Sequence, residues 1–133
     1  MAAWGPGPFD NDAAAQWAGQ FDDADPDERL SLVRGALHAV LDGDGLDGEW
    51  EAIAAATVVA ALVPDGLAVD AANSPVTLAA DSTTVDGELR ALALDALRRV
   101  SSQGSPWYRQ WSEAGRLDEA SSSLQPVVAA LRG

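Results

Sequence analysis

The chain has no cysteine, no lysine and a single histidine. Without cysteine there is no disulfide framework, no thiolate zinc site and no cysteine nucleophile. One histidine, His38, excludes a multi-histidine metal cage within one chain. Positive charge is scarce: eight arginines face 21 acidic residues, for a net charge of −13. A surface of that sign repels nucleic-acid phosphates and anionic lipid, so neither is an expected partner. Long apolar runs are missing too. The longest, from Ala52 to Val63, spans 12 residues, and a membrane-spanning helix needs about 20. The opening Met1-Ala2-Ala3-Trp4 shows no basic and apolar leader, and Ala2 stands where a myristoylated chain has glycine. The expectation is a cytoplasmic protein.

What is present fits one globular domain. The 133 residues are 47% hydrophobic and 22% charged, fractions that a folded domain carries and a disordered chain does not. The acidic surplus is lopsided. Residues 1–67 hold 13 acids and two arginines, whereas residues 68–133 hold eight acids and six arginines.

Residues 1–10 alternate glycine, proline and aromatics, so they read as an extended arm. Asp10-Asn11-Asp12 is an N-cap signal for a first helix over residues 12–20, with Ala13, Trp17 and Phe21 on its core face. Asp25-Pro26-Asp27-Glu28 opens a second helix, whose Leu30, Val33, Leu37 and Leu41 recur at helical spacing before Gly43. A third helix over residues 48–62 is so rich in alanine, and so poor in polar groups after Glu51, that it must sit at the centre of the bundle. Residues 64–85 read as a long irregular connection. A fourth helix over residues 87–100 carries Leu89, Leu92, Ala93, Ala96, Leu97 and Val100 in one stripe. Ser105-Pro106 caps a fifth, with Trp107 and Trp111 on one face and Gly115 at its end. Pro126 is easiest to place in a first turn, which predicts a last helix over residues 122–131. The fold class is therefore all-α: a single compact bundle of five or six helices with an extended N-terminal arm.

Several segments resemble a bacterial family catalogued as domain of unknown function 4259. Trp4-Gly5-Pro6-Gly7-Pro8-Phe9-Asp10-Asn11-Asp12, with Ala14 and Trp17 beyond it, is similar to that family's opening motif. The alanine-rich residues 52–62, the helix end Ala96-Leu97-Arg98-Arg99-Val100, the stretch from Ser105 to Trp111 and the closing Leu131-Arg132 match further parts. This chain departs at Ala13 and Gln16, where relatives often carry acids, and at Leu124, near which tryptophan is usual. The resemblance implies the helical fold and carries no activity with it.

Four constellations could carry chemistry. The arm offers Trp4, Gly5, Gly7, Phe9, Asn11, Asp12 and Trp17, either as a staple of the arm onto the core or as a small-ligand or metal-dependent site. The loop Asp42-Gly43-Asp44-Gly45-Leu46-Asp47-Gly48-Glu49 is rich in oxygen ligands. It fails the EF-hand register, because Ile53 stands where the bidentate glutamate belongs. His38 shares a helix face with Arg34 and Asp42, which reads as an exposed ion-pair ladder. Asp22, Asp23, Asp25, Asp27 and Glu28 form an acidic knot that, with Asp44, suits a basic protein partner; Tyr108 and Arg109 are further interface candidates. No phosphate loop, nucleophile elbow or paired-carboxylate spacing stands out. The expectation is a non-enzymatic, cofactor-free binding module of immunity or antitoxin type. The alternatives are an activity at the arm or a subunit of a homo-oligomer.

Overall fold

A computed structural model describes residues 12–42, 48–62, 87–102 and 105–132. They form six helices and no strand: α1 Asp12–Asp23, α2 Pro26–Asp42, α3 Gly48–Leu62, α4 Gly87–Val100, α5 Pro106–Glu113 and α6 Leu117–Arg132. The expected arm, the Asp/Gly loop and the 64–85 connection lie outside the described residues.

The alanine helix is the hub. Every residue from Ala52 to Ala60 is buried, and α3 touches all five other helices. A helix apolar on all sides is stable only when all its faces are covered. Alanine's short side chain lets the surrounding backbones come close. Thr57 is the one polar residue in that stretch, and its hydroxyl donates to the Ile53 carbonyl one turn back at 2.7 Å. Around this axis, Leu37 of α2, Leu97 and Val100 of α4, and Val127 of α6 close the core.

Two helix boundaries differ from expectation. Helix α1 continues past Gln20 to Asp23, because Phe21 is buried and must stay in helical register with Trp17, 5.7 Å away ring to ring. Its core face is Ala14, Trp17, Ala18 and Phe21; the side chain of Ala13 lies outside the described residues. Helix α6 begins at Leu117, not near residue 122, and holds Pro126 in its interior. The stripe Ala120, Leu124, Val127 and Leu131 is buried throughout, so burial outweighs the proline. Pro126 removes the donor for the Ser122 carbonyl. Both residues lie on the exposed side, where water can take the donor's place.

Helix α5 has the predicted limits. The Ser105 hydroxyl accepts the Tyr108 N–H at 3.0 Å and donates to the Val100 carbonyl. At the other end Gly115 has φ +70°, and the N–H groups of Gly115 and Arg116 return to the carbonyls of Ser112 and Trp111. That is a Schellman closure, which needs a left-handed residue at this position. The acids Asp118 and Glu119 then open α6 where the helix dipole favours them.

Candidate functional site

The acidic knot becomes a corner between α1 and α2. Asp22 and Asp23 end α1, and the Asp25 carbonyl accepts the Arg29 N–H at 2.9 Å, which makes Asp25 the N-cap of α2. Arg29, the basic residue nearest in sequence, folds back under the turn. Its Nε donates to the Phe21 carbonyl at 3.0 Å, its Nη2 donates to the Asp22 carbonyl at 3.3 Å, and its guanidinium lies 5.3 Å over the Phe21 ring. These carbonyls belong to the last turn of α1, where the Phe21 oxygen also accepts the Ala24 N–H at 3.3 Å, so the arginine helps to close that helix.

The side chains of Asp23, Asp25, Asp27 and Glu28 point to solvent, while Asp22 is half-buried. Asp23 and Glu28 both line an open cleft of about 520 Å³, with Gln20, Ala24, Ser31 and the half-buried Leu32 lining the rest. Such a cleft suits a long cationic side chain: carboxylates meet the charged head and Leu32 meets the apolar stem.

The other expected site residues are placed apart from this corner. Tyr108 is half-buried against the core and Arg109 is exposed, both on α5, which packs on α3, α4 and α6. Trp17 is 2% exposed and belongs to the core. Asp12 begins α1, but its side chain, like Trp4, Gly5, Gly7, Phe9, Asn11 and Asp44, lies outside the described residues. His38 is exposed on α2; Asp42, expected beside it, ends that helix with a side chain outside the described residues. Among the described residues no group of three or more potential ligands could hold a metal ion, and no helix is long and apolar enough to cross a membrane.

Sequence reasoning missed the role of Glu49. In sequence it reads as the last oxygen ligand of the Asp/Gly loop. In the structure it is the one buried charged side chain among the described residues. Its Oε1 accepts the Trp107 N–H at 2.7 Å, across 58 residues of chain. The carboxylate thus sits at the N-terminus of α5, beside the Ser105 cap, and ties α5 to the hub helix. Burial pushes its pKa above the ordinary carboxylate value, and the Trp107 N–H, the charge of Arg99 and the Ser105 hydroxyl pull it partly back. Arg90 plays the part of Arg29 at another helix end: its Nε donates to the Leu131 carbonyl at 3.2 Å and closes α6. A charged residue on a helix flank gives no sequence signal of such a distant partner.

With this geometry in place, comparison with known proteins decides the family. The model of the family described as "domain of unknown function (DUF4259)" matches residues 2–123. The chain belongs to that family. The match runs from residue 2 through α1 to α5 and into α6, so the DUF4259 unit includes both the acidic corner and the Glu49 tie. No curated protein and no solved structure matches the chain significantly.

Proposed function

We propose that this DUF4259 protein is a non-enzymatic protein-binding module. Its acidic α1–α2 corner covers a basic surface of another protein, in the manner of an immunity protein or antitoxin. One observation carries the reading: Arg29 turns its Nε and Nη2 onto the Phe21 and Asp22 carbonyls, while Asp23, Asp25, Asp27 and Glu28 face solvent. The charge distribution supports it, with 13 acids against two arginines in residues 1–67. A concentrated negative patch attracts a basic partner from a distance, and the attraction weakens as salt screens it. On this reading the partner is a protein rather than nucleic acid or membrane, met in the cytoplasm, and no cofactor takes part.

The experiment is capture from lysate of the source organism on the immobilised protein, eluted with rising salt. A parallel column carries the variant Asp23→Asn, Asp25→Asn, Asp27→Asn, Glu28→Gln, which keeps the Asx cap of α2. A basic protein held by the native chain, released at moderate salt and absent from the variant column supports the proposal. Identical retention on both columns, or none on either, overturns it.

A further inference from the structure

The basic counterpart of the acidic corner is a groove between α4 and α6. It has a volume of about 500 Å³, within the range of sites that hold small organic ligands. The Arg90 bonds to Leu131 and Ala130 set the two helices antiparallel, because the start of α4 meets the end of α6. Further along, Leu94, Leu97 and Ser101 of α4 line the groove together with Ser121, Leu124 and Val128 of α6. The groove follows α6 from Ser121 to Arg132, a rise of about 16 Å.

Both ends carry a guanidinium, Arg132 at one and Arg98 at the other, and they differ in what surrounds it. Towards Arg132 the walls are Leu94, Val128 and Ala129, with Leu94 and Val128 half-buried; Arg132 itself is exposed, so its stem can line the trough while its guanidinium stays in water. At the other end Arg98, Ser101, Ser121 and Gln125 line the groove, with the Ser101 hydroxyl donated to the Leu97 carbonyl at 2.8 Å. Arg98 pairs with Asp95 at 3.4 Å, but both side chains are more than half exposed, so the guanidinium retains donors for another group. An apolar trough with a cation and an amide donor at one end complements a chain-like molecule with an anionic head.

We propose that the α4–α6 groove binds a free fatty acid. The carboxylate lies against Arg98 and Gln125, and the acyl chain runs along Leu94, Leu97 and Val128 towards Arg132. The net negative charge of the chain disfavours anionic lipid in general, but the charged residues that line this groove are both arginines, and a cationic amphiphile would place its head on a guanidinium. The inference is independent of the acidic corner, which lies on α1 and α2.

The test is an amide NMR titration of the full chain with dodecanoate, kept below its micelle concentration and at fixed ionic strength. Dodecyltrimethylammonium, of equal chain length and opposite charge, is titrated alongside. The expected result is saturable shifts at Leu94, Leu97, Leu124 and Val128 with dodecanoate and none with the cation. Arg98→Ala, at an exposed position that leaves the fold intact, should weaken dodecanoate about fivefold. Val128→Asp, placing a negative charge in the trough, should abolish the shifts; Asp95→Asn, which frees Arg98, should strengthen binding. Absence of saturable shifts, equal response to the cation, or unchanged affinity in Arg98→Ala overturns the proposal.

Discussion

Replacing Glu49 separates the role of its hydrogen bond from the role of its charge. The carboxylate is 8% exposed and accepts the Trp107 N–H at 2.7 Å. Alanine would leave that N–H buried and unpaired at the start of α5. A hydrogen bond to a charged group contributes about 1.5–3 kcal/mol, and an orphaned buried donor costs a similar amount. These overlap, and relief from burying a charge offsets part of the loss, so Glu49→Ala should cost about 2–3 kcal/mol. Glutamine keeps the acceptor oxygen and removes the charge. Because burial raises the pKa of Glu49 more than its partners lower it, the neutral form suits the folded state better. Glu49→Gln should therefore be neutral or slightly stabilising at pH 7. The folded pKa lies above the unfolded one. The contribution of Glu49 is then complete below the ordinary carboxylate pKa and is lost as pH rises through the folded pKa. Stability of the native chain relative to Glu49→Gln should accordingly fall as pH rises from 4 to 7. Urea unfolding followed by circular dichroism across that range measures it. If glutamine costs as much as alanine at pH 7, the charge is required, and attraction to Arg99 and the α5 dipole outweighs burial.

Other parts of the framework give further expectations. Arg29→Met and Arg90→Met should each cost about 1–2 kcal/mol by removing the guanidinium donors from the carbonyls that end α1 and α6, with faster amide exchange confined to those helix ends. Ala55→Leu adds volume at a fully buried position of the hub helix and should destabilise by about 1–3 kcal/mol, read as a lower urea midpoint. Pro126→Ala restores a donor to the Ser122 carbonyl on the exposed face of α6 and should stabilise by about 1–3 kcal/mol, seen as a higher Tm.

The helices were legible because most of them carry signals at short range. The limits of α3 and α4 follow from uninterrupted apolar patterns, and those of α5 from a serine–proline cap and a left-handed glycine. Pro126 misled because its cost is local and easily seen, while the stripe from Ala120 to Leu131 that outweighs it takes effect only against α3 and α4. The acidic corner was legible as composition. That Arg29 would turn inward, leaving the carboxylates on the outside, was not, since one arginine beside five acids suggests surface ion pairs. Glu49 was hidden for the same reason that Arg90 was. Each acts on main-chain groups of a helix far away in sequence, and only the packing brings the two together.

The central claim is that the α1–α2 corner is where a partner binds. Its most direct test is the amide-exchange footprint of the complex recovered from capture, compared with that of the free chain. The account predicts added protection over residues 20–32, around the cleft rimmed by Asp23 and Glu28, with α5 unchanged. Protection around Tyr108 and Arg109 or along the α4–α6 groove, with the corner exchanging as in the free chain, would contradict it.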